Sequence, residues 1–208
     1  MKSSVQALLN LAAHQNPRFI NDDEDPPAIE LKHSLFQAAP FSDIHALSLA
    51  LGALAPELVE LYSVSNGMLL FSNIKDSGEA FYFLPTNEQE TEKNGLYDWL
   101  SIGCDDPDYE YGESEEGGEL ELFGIPPWWE SCIVFAGWGY APERLFVPTE
   151  GKYAGEIFQF EHDGGYSVRI AKNMDELFLK IANDPVKFIR RYYSVAYYDI
   201  SAYKADAP

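Results

Sequence analysis

Carboxylates dominate the residues of this sequence whose side chains could do chemistry. The chain has 208 residues, of which 34 are acidic and 14 basic, giving a net charge of −20. Sixteen of the acids and a single base, Lys93, fall between Asp76 and Glu130. Such a surface repels phosphate backbones and anionic lipids, so we expect neither a nucleic-acid nor a membrane partner. A protein with a basic surface is the natural complement.

The densest acidic stretch is DDPDYEYGESEEGGELE, residues 105–121. Charge runs most often form solvated loops that aid solubility, and this interpretation stays open. The alternative is a docking surface that steers a cationic protein towards the chain. On that interpretation the partner-binding carboxylates are those of Asp105, Asp106, Asp108, Glu110, Glu113, Glu115 and Glu116.

Metal-binding patterns are weak in this sequence. Asp106, Asp108 and Glu110 alternate as in a calcium loop, but Gly112 comes one position too late and Gly117 replaces the bidentate glutamate. No two of the four histidines are four residues apart, and none has a cysteine close to it. We therefore expect no metal and no cofactor, and keep a calcium-binding module as an alternative.

Motifs of nucleophilic catalysis are also missing from the sequence. There is no G-x-S-x-G, and Cys132 begins a predicted strand, where cysteine usually packs as a small apolar residue. We expect a protein that is not an enzyme. A hydrolytic enzyme with an acidic site remains an alternative, using either a pair of carboxylates or Cys132 and His162 as a dyad. Pairing of Cys104 with Cys132 also stays open.

Aromatic residues offer a second kind of contact site. In IPPWWE, residues 125–130, Trp128 and Trp129 are adjacent, and neighbours on an extended segment point to opposite sides. One of the two rings is therefore expected at the surface, where tryptophan often anchors a partner. In the predicted turn GWGYAP, Trp138 and Tyr140 are either packed or displayed, and both join the candidate binding residues.

The pattern of apolar residues predicts an α+β fold in a single domain. Helices are predicted at 3–15, 43–51, 56–65 and 174–183, with a last one starting at Pro185. We expect a mixed, mainly antiparallel sheet of about six strands flanked by these helices. The strands are predicted at 68–71, 80–84, 131–136, 144–147, 156–160 and 166–170.

Composition and linkers suggest how the chain is divided. An N-terminal helix and acidic linker occupy residues 1–42, the main domain 43–193 with an acidic insertion at 105–121, and a tail 194–208. Apolar runs are far shorter than the roughly 20 residues that a membrane span needs. Two cysteines without a CxxC motif suit a reducing cytoplasm, so we expect a cytoplasmic protein. The sequence does not indicate an oligomeric state.

The order of these elements resembles the SUKH superfamily, which includes the fungal Smi/Knr cell-wall-synthesis regulator and many bacterial immunity proteins. The resemblance covers roughly residues 43–190. It rests on ALSLALGALAPELVELYSVSNGMLLF, CIVFAGWGYAPERLFVP, the hairpin near EHDGG, and NMDELFLKIAND. It implies helices on one side of a mainly antiparallel sheet and no catalytic residues. It also implies binding to another protein, foremost a toxin domain that the chain would neutralise, or alternatively a Smi/Knr-like regulatory adaptor.

Overall fold

The computed structural model describes residues 1–21, 28–51, 54–75, 80–101, 111–116, 119–139, 141–192 and 200–208. These residues form a sheet of eleven strands with six α-helices. The helices are α1 (Ser3–Ala12), α2 (Phe41–Leu51), α3 (Pro56–Val64), α4 (Gln89–Leu100), α5 (Met174–Asn183) and α6 (Pro185–Tyr192). The strands are β1 (Gln15–Asn21), β2 (Ala28–Leu35), β3 (Met68–Asn73), β4 (Phe81–Phe83), β5 (Gly112–Glu116), β6 (Glu119–Phe123), β7 (Cys132–Trp138), β8 (Arg144–Pro148), β9 (Ile157–Glu161), β10 (Tyr166–Ala171) and β11 (Ile200–Asp206).

The strands lie in the order β11-β1-β2-β3-β4-β7-β8-β9-β10-β6-β5. The six predicted strands are the contiguous centre of this sheet, β3-β4-β7-β8-β9-β10. The predicted strand count was nevertheless wrong, because β11, β1 and β2 extend one end and β6 and β5 the other. The mixed character was also wrong, since every pairing between the described strands is antiparallel.

Local sequence signals explain the central elements. Pro56 occupies the start of α3, and Gly67, with φ of +86°, reverses the chain into β3. A Cβ at Gly67 would lie 2.6 Å from the Phe83 carbonyl oxygen, so only glycine fits there. Asn173 caps α5, its side-chain oxygen accepting a hydrogen bond of 2.8 Å from the Glu176 N–H. β7 is buried along its whole length, as its unbroken apolar run predicts.

Each face of the sheet carries its own apolar core. The first core joins α1, α3, α5 and α6 to side chains such as Ile133 and Phe135 of β7. The second core lies on the opposite face, because Cys132 and Val134 alternate with those residues along the strand, and it includes Leu96 and Leu100 of α4. The expectation of helices on one side therefore fails, since α4 covers the second face.

The two chain ends meet at one end of the sheet. β11 pairs with β1 in antiparallel register, from Gln15 opposite Asp206 to Asn21 opposite Ile200. α1 packs against α5, and Val5 and Leu8 belong to the first core. The N-terminal helix and the C-terminal strand are thus packed against the same sheet as the central strands.

Candidate protein-docking surface

Part of the predicted binding site lies outside the described residues. This is the case for Asp105, Asp106, Asp108, Glu110 and Tyr140. The same holds for Cys104 and for the loop that resembles a calcium site. The described part of the acidic stretch begins at Tyr111 and forms the β5–β6 hairpin at the edge of the sheet.

Two acids of the hairpin lie on the sheet face that carries the second core. Glu113 lies opposite Leu122 and Glu115 opposite Leu120, so these four side chains share one face. The two leucines are buried in the second core, whereas both glutamates lie at the outer edge and are exposed. Glu116 ends β5 opposite Glu119. The edge strand thus carries carboxylates beside the second core.

Glu113 is not a free charge. One carboxylate oxygen accepts hydrogen bonds from Lys152 Nζ at 2.8 Å and Tyr153 Oη at 2.6 Å, and the other accepts from Tyr111 Oη at 2.8 Å. These donors, Lys152 first, lower the pKa of Glu113 to about 2. Its predicted role in steering a partner is weakened accordingly, and Glu113 instead ties the hairpin to the β8–β9 connection.

The structure separates the three described tryptophans of the predicted site. Trp129 is buried, its ring packing at 5.4 Å from that of Phe146. Trp138 is buried in the first core and donates its indole N–H to Gln159 Oε1 at 3.1 Å. Neither ring can be a surface contact, because both belong to the cores. Trp128 is half-buried and remains the predicted tryptophan that reaches solvent.

Helix α4 adds residues that the sequence did not single out. Its inner side is anchored by Leu96 and Leu100, and Lys93 donates to the Glu130 carbonyl oxygen at 2.7 Å. Its outer side displays Tyr97 and Trp99, whose residues are 42% and 44% exposed. The sequence did contain a signal for these exposed rings. A tyrosine and a tryptophan stand two positions apart in a charged segment, although both residue types are usually largely buried.

Exposed carboxylates on or next to the elements that contribute to the second core define what we call the acidic face. None of its members makes an ion pair with a described residue, whereas Glu92 and Glu113 are paired with Arg144 and Lys152. They come from α4 and the residue before it, from β5, and from the turn after Trp129. The acidic face comprises Glu88, Glu90, Asp98, Glu115 and Glu130.

Arg144 fixes α4 to the sheet. Its guanidinium lies 5.6 Å from the centre of the Tyr82 ring, and its Nε donates to a Glu92 carboxylate oxygen at 2.6 Å. A Cβ on Gly137 would approach Arg144 Cδ to 2.8 Å, so glycine is needed for the arginine to lie flat across β7. The position of α4 therefore depends on Gly137 as well as on the ion pair.

A cleft of about 270 Å³ separates α4 from the β7–β8 turn. We call it the Trp99 cleft, and it is lined by Thr91, Glu92, Gly95, Leu96, Trp99, Pro142 and Arg144. The Trp99 ring meets that of His162 edge-on, with 6.2 Å between the ring centres. α4, which forms one wall of the cleft, also carries Glu90 and Asp98 of the acidic face.

His162 and Cys132 do not form the dyad considered from the sequence. His162 Nδ1 bonds to the Glu143 carboxylate, and Nε2 lies 3.0 Å from Asp163 Oδ1. The bond to Glu143, above all, raises the pKa of His162. Cys132 is a buried free thiol whose pKa is raised by burial, and its Sγ lies 3.8 Å from the Trp128 carbonyl oxygen. No hydrogen bond joins these two residues.

The fold brings two other histidines together. His14 Nδ1 and His33 Nε2 lie 3.2 Å and 3.0 Å from the Tyr203 hydroxyl, beside a groove of about 580 Å³. The Phe71 N–H donates to His33 Nδ1 at 3.1 Å, so the neutral His33 ring carries its proton on Nε2. Tyr203 then accepts from His33 and donates to His14. Sequence spacing gave no sign of this contact.

Within the described residues, no group of three or more His, Cys, Asp or Glu side chains could hold a metal ion. The described helices include none that is both long and apolar enough to cross a membrane. No model of a known protein family matches the sequence, and no curated protein is significantly similar to it.

Proposed function

We propose that this chain is a non-enzymatic protein-binding module that holds a cationic protein against the acidic face. The observation that carries the proposal is the set of five exposed carboxylates on or next to α4, β5 and the turn after Trp129, none of which makes an ion pair with a described residue. Tyr97 and Trp99, which are 42% and 44% exposed, lie on α4, and the partly buried Trp128 directly precedes that turn. Carboxylates that steer and aromatic rings that anchor are the combination found at tight protein interfaces.

The partner that suits this surface best is the toxic domain of a secreted or contact-dependent toxin, which the chain would neutralise as an immunity protein in the cytoplasm. Support for this comes from the resemblance of residues 43–190 to the SUKH superfamily and from the net charge of −20. A nuclease domain is the toxin that fits this proposal, because a protein that binds a polyanion carries the complementary basic surface. Binding of an acidic chain there blocks access both sterically and electrostatically.

A pair of charge reversals tests the proposal. Glu115→Lys with Glu130→Lys changes the acidic face by four charges, and Glu30→Lys with Asp206→Lys changes the opposite end of the sheet by the same amount. All four side chains are exposed. Matching the net charge of the two double variants separates the effect of position from that of total charge.

The assay requires a toxin domain, and a gene next to that of this chain is the first place to look for one. Each variant is expressed together with this toxin domain, and association rates are measured at low and high salt. We expect the acidic-face variant to associate about tenfold more slowly at low salt, with a smaller difference at high salt because screening reaches about 8 Å at physiological ionic strength. The control variant should stay close to the unmodified chain. Equal association rates and full protection of cells by both folded variants would refute the proposal.

A further inference from the structure

Gly95 is unusual because nothing in the packing of α4 requires a glycine there. It lies inside a helix of 12 residues, where glycine is the least favourable residue apart from proline. A Cβ built on it meets no atom within 4 Å, so the position is open and not crowded. It lines the Trp99 cleft, and any larger side chain would extend into this space. The glycine keeps the cleft empty at a cost to the helix.

The walls of the cleft favour a flat cationic group. The indole of Trp99 is 44% exposed and touches one described aromatic ring, that of His162, at its edge. Inside the cleft the charge of Arg144 is compensated by Glu92, and its guanidinium also donates to the Ala141 and Glu143 carbonyl oxygens. The exposed Asp98 precedes Trp99 in α4, and Asp163 Oδ1 lies 3.0 Å from His162 Nε2, so each of the two rings has a carboxylate next to it in the chain.

We propose that the Trp99 cleft receives an arginine side chain of the cationic partner, stacked on the Trp99 ring beside Gly95. This inference rests on the proposed function and adds the point at which the partner is anchored. A guanidinium is planar and more weakly hydrated than an ammonium group, so arginine stacks on an indole better than lysine does. On this proposal the carboxylate of Asp98, next to Trp99 in the chain, accepts from the N–H groups that remain outside the ring contact.

Two matched peptides and two matched variants test this inference. Nona-arginine and nona-lysine carry the same charge, and their affinities for the unmodified chain are measured by calorimetry. We expect nona-arginine to bind about tenfold more tightly, as the cation–π contact predicts, and to change the tryptophan fluorescence. Gly95→Gln places a side chain in the cleft and should remove this preference while raising the melting temperature.

Asn94→Gln is the control, because it installs the same side chain on the neighbouring exposed position, which does not line the cleft. It should keep the preference for nona-arginine. Equal affinities of the two peptides, or a preference that survives Gly95→Gln, would overturn the inference. If the acidic-face charge reversals slow toxin association while Gly95→Gln leaves its dissociation unchanged, the proposed function stands and only the cleft assignment fails.

Discussion

His33 should make the free energy of unfolding depend on pH in a way that can be assigned to one side chain. Its pKa is lowered from the ordinary 6.5 to about 4, first by burial and then by the nearby His14. The contact geometry agrees with this direction, because His33 Nδ1 accepts a hydrogen bond from the Phe71 N–H. Protonation would place an N–H on Nδ1 that points at this donor. The folded protein therefore holds His33 neutral at a pH where the unfolded chain is protonated.

The sign and size follow from proton linkage. Between pH 6.5 and about 4 the unfolded chain binds one more proton at this site than the folded chain, so the free energy of unfolding falls as the pH falls. One unit of pKa corresponds to about 1.4 kcal/mol, so the change from 6.5 to about 4 gives roughly 3 kcal/mol across the window. Above pH 6.5 and below pH 4, His33 adds nothing to the pH dependence of the free energy of unfolding.

Urea denaturation of the unmodified chain and of His33→Asn between pH 7 and 4, at constant ionic strength, measures this contribution. Asparagine keeps a side-chain acceptor for the Phe71 N–H but cannot be protonated. The stability advantage of the unmodified chain over the variant should shrink by up to about 3 kcal/mol towards pH 4. The many carboxylates titrate in both proteins and cancel in the difference. His45→Asn, at an exposed position, is the control. If the curves of the unmodified chain and His33→Asn run parallel, the reasoning is wrong.

Leu61 and two glycines with left-handed backbones give further predictions about the free energy of unfolding. Leu61 is fully buried in the first core, so Leu61→Ala should lower the free energy of unfolding by about 2 to 5 kcal/mol in urea denaturation; a loss below 1 kcal/mol would contradict its placement. Gly67→Ala combines a left-handed backbone with a Cβ 2.6 Å from the Phe83 carbonyl oxygen and should cost about 2 to 5 kcal/mol. Gly155→Ala, with φ of +84° but no neighbouring atom within 4 Å, should cost only about 1 to 2 kcal/mol, and equal losses at the two glycines would show that the clash is unimportant.

The sequence by itself determined the centre of this fold. The strands from β3 to β10 that the pattern predicted, and helices α3, α5 and α6, are found close to their expected positions. Their signals are local: an unbroken apolar run for β7, Pro56 and Gly67 around α3, and the Asn173 cap of α5. Because both faces of the central sheet are covered, a central strand such as β7 is apolar at nearly every position, whereas the helices that cover it are apolar on one side only.

Tertiary structure decided three other features of the protein. These are the strands at the two ends of the sheet, the packing of α4 on the second core, and the residues that meet at the candidate sites. β1 and β11 pair residues 179 to 191 positions apart. The edge strand β11 buries only Ile200, and the buried positions of β1 are Pro17, Phe19 and Asn21, so neither strand shows a regular alternation of apolar residues in the sequence. The buried positions of α4 repeat with helical spacing, but two of the four, Gln89 and Lys93, are polar, so the apolar residues alone do not reveal the helix. The helix is also held by the Glu92–Arg144 pair. The contacts of Tyr203 with both histidines, and the cleft beside Trp99, depend on where whole elements pack. Local sequence patterns record which side of an element is buried, but they do not record which distant element covers it.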